Sequence, residues 1–411
     1  MDVLAADPSL SLFQLLDPDI RGNPYPFYKK LRETDPVHWD PFLHAWVVTR
    51  YEDVQTVLLK CSADRQPAHD QLETMGLSSG ELAPIAKVMA KQMLFMDAPA
   101  HTRLRALCAA AFTPARVAML RRHIQEIADQ LIDRAAPAGF MDVMEDFANP
   151  LPAIVSAELL GVPVEDHQDL KNWSTDFAEF LGNFQHNMDR PTGVLKATQS
   201  MVSYFQNAIR EQTRAPREGL VHSLMMAEVD GSRLSEEEII ANLIITMVGG
   251  QETTTNLIGN GLVALLRNPD EMQLLARNSS IAASAIEELL RYESPSQHSV
   301  RIASEDVVLG GKEIRKKQRI IPVFGAANRD PERFPDPDRL DLQRPDNRHL
   351  AFAWGQHYCF GAPLARMEGL ISFETLLRRL PNLQLAPQEF VWRENSALRG
   401  LESLHVTFDA S

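Results

Sequence analysis

The sequence predicts a mainly α protein with a small β region, folded as one unit over residues 1–411. Three observations carry this. Apolar residues recur at helical spacing through most of the chain. Strand-type signals are few, and they cluster near the start and in the last third of the sequence. No Gly/Ser linker, charge block, low-complexity run or internal repeat divides the 411 residues. A β region assembled from both ends cannot be cut away from the helical body between them.

Composition narrows the class. The chain is 45% hydrophobic and 23% charged, an ordinary globular balance with ample material for a large core. Its formal net charge of −14 argues against a general nucleic-acid binder. Cys61, Cys108 and Cys359 are odd in number and far apart, a reduced, cytosolic pattern rather than a disulfide framework. The start, MDVLAADPSLSLFQLLDPDI, has acidic residues and no basic n-region, so no signal peptide is expected. No long uninterrupted apolar run occurs, so no membrane span is expected, and the chain reads as a cytoplasmic monomer.

In chain order, helices are predicted near 24–34, 51–60, 80–92, 99–110, 114–136, 149–159, 165–183, 192–214, 235–267, 269–276, 279–292 and 362–380. Strands are predicted at Val37 to Trp39 and Ala45 to Val48, then at Ser299 to Ile302, Val307 to Leu309, Arg319 to Val323, and near the C-terminus.

The helix at 235–267 is the longest. Ser235 and Glu238 form a capping-box pattern, and Glu236 to Glu238 place negative charge where the helix dipole favours it. Asn268-Pro269 stops it. At 1.5 Å per residue it spans roughly 48 Å, and it is apolar over much of its circumference, which means burial. Yet its centre reads VGGQETTT, residues 248 to 255. Gly249 and Gly250 each cost about 1 kcal/mol against Ala, and three threonines compete for backbone carbonyls. Close helix packing would explain the glycines. It would not explain Glu252, a carboxylate at mid-core, where an acid is costly unless it is hydrogen-bonded and has a task.

The segment FAWGQHYCFGAPLARME, 352 to 368, places Cys359 just before an amphipathic helix that starts near Ala362-Pro363. Backbone N–H groups and the helix dipole there favour a thiolate. Gly355 and Gly361 are expected to allow positive φ and close approach to a flat ligand. A lone cysteine is more often a small buried hydrophobe, but the pattern F-x-x-G-x-H-x-C-x-G-x-x-L-A-R is too long for chance. No second Cys/His pair has zinc-ligand spacing.

This segment resembles the haem-binding loop of the cytochrome P450 haem-thiolate monooxygenases. Other motifs follow in the family's order over essentially the whole chain. EELLRYESP (287 to 295) resembles the E-x-x-R helix, with Glu288 and Arg291 on one face and Arg344, in NRDPERFPDPDRLDLQRP, as third partner. DAPAHTRLR (97 to 105) resembles the haem-contacting helix, and VGGQETTT is similar to the A-G-x-[DE]-T oxygen-activation motif. The resemblance implies the cytochrome P450 fold, with haem b between the long central helix and the proximal cysteine loop.

It also implies roles. Cys359 is the iron ligand. His101, Arg105, Arg301 and His357 pair with the haem propionates. Gly249, Gly250, Phe352 and Gly361 lie against the haem, and Glu252 and Thr253 deliver protons to bound dioxygen. The weak helix centre is expected to show a local widening of its ladder. Gly249 replaces the usual alanine, Glu252 the commoner Asp, and Trp354 stands where glycine is frequent.

For the substrate, Leu94, Phe180, Ile245, Val248, Gln297 and His298 are the candidate pocket residues. A Pro-Thr-Gly break at 191–193 suggests a mobile lid. The expected activity is insertion of one oxygen atom into a small apolar molecule, by hydroxylation or epoxidation. Polyketides, macrolides, terpenoids and fatty acids stay open as substrates, and a peroxide-driven peroxygenase or a non-catalytic haem protein are the lesser alternatives. No dinucleotide fingerprint is present, so electrons from NAD(P)H are expected through a separate ferredoxin and ferredoxin reductase. Arg366, Arg378, Arg379 and Arg348 are the candidate docking cations.

Overall fold

The computed structural model describes residues 7–64, 79–181 and 190–410. The main helices are α1 (Tyr25–Thr34), α2 (Tyr51–Lys60), α3 (Ser79–Met89), α4 (Ala100–Ala111), α5 (Pro114–Ala135), α6 (Pro150–Leu160), α7 (His167–Ala178), α8 (Arg190–Arg214), α9 (Glu236–Arg267), α10 (Pro269–Arg277), α11 (Ala282–Tyr292) and α12 (Ala362–Arg379). Each predicted helix is present, with ends shifted by a few residues. The expected break at 191–193 is instead the first turn of α8, a place that tolerates proline because the first helical N–H groups lack intrahelical acceptors. Among the described residues, no helix is long and apolar enough to cross a membrane.

The strands are β1 (Val37–Asp40), β2 (Ala45–Val48), β3 (Phe140–Asp142), β4 (Glu228–Val229), β5 (Ser232–Arg233), β6 (Arg301–Ile302), β7 (Val307–Leu309), β8 (Lys312–Ile314), β9 (Arg319–Pro322), β10 (Gln384–Leu385) and β11 (His405–Thr407). One sheet has the order β1-β2-β9-β6, and β2 pairs in parallel with β9, so the two ends of the chain share it. A second sheet, β10-β11-β3, ties the C-terminus to mid-chain. Sequence reading missed β3, the β4–β5 hairpin and β8, which are too short for alternation to show.

Helix α9 crosses the molecule buried along most of its length. Its capping box forms: the Glu238 N–H donates to Ser235 Oγ at 3.2 Å, and Ser235 N–H to the Glu238 carboxylate at 2.9 Å. It is continuous α-helix through Gly249 and Gly250, so the expected widening is not there. Thr253 Oγ donates back to the Gly249 carbonyl at 2.7 Å and satisfies its hydroxyl within the ladder. Close crossing with α12 sets the depth of the helix. A Cβ at Gly261 would come within 2.5 Å of the Phe373 ring.

Behind α12, Glu288 accepts two hydrogen bonds of 2.8 Å from Arg291 and further ones from Arg344 Nε at 3.1 and 3.2 Å. Asn347 Nδ2 and the Asp341 N–H complete its shell at 2.9 Å each. A carboxylate with all its lone pairs engaged can be buried this deeply, and removing any partner leaves an uncompensated charge.

Candidate active site

A cavity of about 320 Å³ lies between α9 and the loop that leads into α12. Cys359 lines it. The Cys359 N–H donates to the Phe352 carbonyl at 2.9 Å, which folds the loop back on itself. Burial pushes the Cys359 thiol pKa up, while the N–H groups of Gly361 and Ala362 and the charges of Arg105 and Arg366 pull it down. Gly355 takes φ 74° as expected, but Gly361 sits at φ −85°, and Ala353, at φ 57°, makes the other left-handed turn. Gly361 is small for another reason: a Cβ there would meet nothing within 4 Å, because it opens onto the cavity.

One rim of the cavity is basic. His101, Arg105, Arg301 and His357 line it together, although they come from α4, β6 and the cysteine loop. The two imidazole rings lie 4.1 Å apart. Arg301 donates through Nη1 to Ser299 Oγ and the Val300 carbonyl at 2.9 Å each, and Arg105 donates through Nη2 to the Tyr358 carbonyl at 2.6 Å. His101 Nε2, His357 Nε2 and Arg301 Nε are buried without hydrogen-bond partners. Burial first, and then the neighbouring His101 and Arg301, drive the His357 pKa down to about 3. Burial likewise lowers Arg301 to about 10. Two arginines beside buried imidazole nitrogens without partners form a site for an anion, whose charge would in turn favour protonated imidazoles.

Across from this rim the walls are aliphatic. Gly249, Gly250 and Thr253 of α9 line the cavity, as do Ile245 and Val248 one turn earlier, Leu94, His298 and Phe352. Gly249 has open space on its Cβ side. Two predicted pocket residues lie elsewhere. Phe180 packs into the helical core while its neighbour Leu181 takes the lining position, because the chain turns past the end of α7. Gln297 is 2% exposed and committed to structure: it accepts from Tyr28 Oη at 3.0 Å and donates to the Ser294 carbonyl at 2.7 Å. Phe184 and the segment Ser62 to Leu94 are also expected from sequence to meet the substrate; Phe184 and residues 65–78 fall outside the described residues.

Glu252 does not line the cavity. It points away, 1% exposed, and its Oε1 accepts from Lys171 Nζ at 2.5 Å and Thr175 Oγ1 at 2.8 Å. Its Oε2 accepts from Arg393 Nη1 at 2.7 Å. Burial pushes this carboxyl up, but the two cations override it and hold the pKa at about 2. Burial lowers the Lys171 pKa, against the pull of Glu252. Sequence reasoning missed Lys171 and Arg393. Only the i,i+4 spacing of Lys171 and Thr175 hints that one face of α7 carries a polar task.

The model of the family described as cytochrome P450 matches residues 43–397. The chain belongs to the cytochrome P450 family. It is 39% identical over 412 residues to the cytochrome P450 monooxygenase PikC of Streptomyces venezuelae, covering 98% of this chain and 95% of that one. It is 37% identical over 401 residues to the polyketide biosynthesis cytochrome P450 PksS of Bacillus subtilis (strain 168), covering 95% and 96%. Among solved structures, P450BioI in complex with hexadec-9Z-enoic acid ligated acyl carrier protein superposes with a TM-score of 0.88 at 34% identity, covering 95% of this chain and 99% of that one. This P450 is therefore an oxidoreductase of the monooxygenase class, a haem b enzyme supplied with electrons from NAD(P)H through redox partners. The residues present fit that cofactor: Arg105, Arg301 and the unpartnered imidazole nitrogens suit two propionates, and Phe112, Phe360, Leu364 and Ala365 give an apolar slot for the ring.

Proposed function

We propose that this P450 inserts one oxygen atom of O2 into a small apolar organic molecule, by hydroxylation or epoxidation, in secondary metabolism of the polyketide, macrolide or terpenoid kind. The supporting observation is one cavity that holds Cys359, the Gly249–Gly250–Thr253 face of α9, a rim of four basic side chains and aliphatic walls. The kinship to PikC and PksS supports the substrate range. A fatty-acyl substrate is the second reading, favoured by the aliphatic lining and the likeness to P450BioI.

In this reading Cys359 ligates the iron, His101, Arg105, Arg301 and His357 neutralise the propionates, and Phe352 and Gly361 lie against the ring. When bound, haem supplies the redox chemistry of oxygen activation, and the protein supplies orientation and electrostatics. Thr253 holds its hydroxyl proton at the cavity wall, in a bond to Gly249 O that must open for it to serve. Glu252 acts as a carboxylate on the far side of the same turn. Lys171 donates to its Oε1 and Arg393 to its Oε2, and the two cations hold it ionised. Carrying a proton from solvent to the Thr253 side therefore requires the Glu252 side chain to leave Lys171 and Arg393, which frees its pKa to rise.

The electron carrier is proposed to be a ferredoxin with its ferredoxin reductase. The docking cations predicted from sequence are engaged by acids: Arg366 by Glu287, Arg378 and Arg379 by Asp129, Arg348 by Asp346. The exposed Arg116, Arg121 and Met119 of α5 are the better surface for an acidic carrier, since Phe112, just before that helix, stacks 4.9 Å from Phe360 beside the ligand. We read the enzyme as a cytoplasmic, single-domain monomer over 1–411, on its reduced-type cysteines and on the sheet shared by both chain ends.

The test is the ferrous–carbon monoxide spectrum. The wild type should show the long-wavelength Soret band of thiolate ligation, and Cys359→Ala should lose it. A Cys359→Ala protein that keeps the band would refute the ligand assignment.

A further inference from the structure

Glu287 stands beside the buried Glu288 but faces the other way, toward the cysteine loop. Arg366 of α12 grips it with both arms: Nε donates to Oε1 at 2.6 Å and Nη2 to Oε2 at 2.8 Å. His349 Nε2 lies 3.2 Å from the same Oε2. The Ala351 N–H donates to His349 Nδ1 at 3.2 Å, so Nδ1 is the acceptor and Nε2 carries the proton toward Glu287. The remaining arm of Arg366, Nη1, donates to Tyr358 Oη at 3.1 Å. Its guanidinium carbon sits 4.6 Å from the Phe352 ring centroid. Phe352 is the residue whose carbonyl receives the Cys359 N–H, and Tyr358 is the residue before Cys359.

The Glu288–Arg291–Arg344 network fixes α11 to the segment ahead of the loop, whereas Arg366 joins Glu287 of α11 to the loop itself through Tyr358 and Phe352. This arrangement holds a cation in one place, next to the proposed ligand, with its counter-ion on the outer side. We propose that Glu287 is a positioning residue for electron uptake: with His349 it clamps the Arg366 guanidinium on Phe352 and Tyr358, forming a fixed dipole with its positive end toward Cys359 that sets the reduction potential of the haem. The inference rests on ligation by Cys359.

The physical reason is Coulombic. Reduction adds one electron, delivered by the carrier, to a centre that already carries a thiolate. A cation held beside that thiolate favours the reduced form, and an anion behind the cation subtracts from the effect. Arg366 is among the charges that favour the Cys359 thiolate, alongside Arg105. Arg105 is the one spoken for by a propionate, which leaves Arg366 as the adjustable charge.

The experiment is spectroelectrochemical titration of the purified holoenzyme, with the ferrous–carbon monoxide band recorded for every variant. Glu287→Gln removes the negative end and should shift the potential to more positive values. Arg366→Gln removes the positive end and should shift it to more negative values. The double variant should return close to the wild type. If Glu287→Gln does not fold, Arg366→Gln still decides: no shift, or a positive one, overturns the proposal. Shifts of the same sign in both single variants, or unchanged potentials with weakened binding of a ferredoxin, overturn it as well and leave Arg366 a structural or docking residue. Absence of the thiolate band in the wild type would refute ligation by Cys359 and this inference with it, whereas potentials that ignore the charges in a thiolate-ligated protein refute this inference alone.

Discussion

Replacing Glu252 by Gln tests the ionic core of the site. In the native protein Lys171 Nζ and Arg393 Nη1 stand 2.5 and 2.7 Å from its two carboxylate oxygens. Burial alone would raise the pKa, and the two cations reverse this and bring it to about 2 from an ordinary 4.5. A depression of that size, at about 1.4 kcal/mol per unit, contributes about 3 kcal/mol, offset in part by the burial that lowers the Lys171 pKa. The folded Glu252 pKa lies below the unfolded one. The stabilisation is therefore complete above the unfolded value of 4.5 and is lost only as the pH falls toward about 2. Gln keeps the shape but leaves buried Lys171 without a counter-charge and Arg393 with only Glu179 at 3.9 Å, so the expected loss is about 3–5 kcal/mol. The assay is denaturant unfolding of wild type and Glu252→Gln at several values from about pH 7 down to about pH 3, with the deficit narrowing as the pH falls below about 4.5. A deficit that stays constant below about pH 4.5 would mean that the carboxyl titrates alike in the folded and unfolded chain, and the double ion pair would be wrong. The same variant should slow oxygen consumption by about 10²–10⁴-fold, the usual worth of a positioned side chain in proton transfer. Wild-type turnover despite lost stability would leave Glu252 a pin between α7, α9 and the C-terminal segment, with no part in the relay.

Thr253→Ala removes one hydroxyl from the cavity wall at a helical position that favours Ala. NADPH consumption should continue while product falls and hydrogen peroxide rises, measured under saturating electron supply; full coupling would dismiss the hydroxyl. Gly249→Ala adds a methyl group into open space, so thermal unfolding should show a gain of up to about 1 kcal/mol. The same methyl reduces the cavity above the cysteine loop, so spectral titration should show weaker binding of bulky macrolides than of small terpenoids; equal loss for both would mean that this side of α9 does not meet the substrate.

Much of the molecule was legible in the chain. Helices appeared where predicted because amphipathic periodicity and end signals are local: Ser235 and Glu238 cap α9, and Asn268-Pro269 ends it, whatever lies around them. The basic rim and the cysteine loop were legible through motif spacing, and the cavity brings those residues together. Side-chain direction was not legible. Thr253 and Glu252 are neighbours in sequence, yet successive positions on a helix point about 100° apart, so one lines the cavity and the other meets α7. Gln297 and His298 diverge in the same way in an extended segment, where alternate side chains face opposite sides.

The sequence by itself determined the helical architecture, the capped central helix and the identity of the reactive loop, because each depends on residues near one another in the chain. Tertiary structure decided which charges are free. Lys171 and Arg393 reach Glu252 from 81 and 141 positions away, and Glu287 takes Arg366 out of the docking surface from 79 positions away. Electrostatic energy falls with distance in space and is strengthened by burial. Whether an acid keeps its proton, or an arginine meets a partner protein, is therefore set by which elements the fold packs side by side.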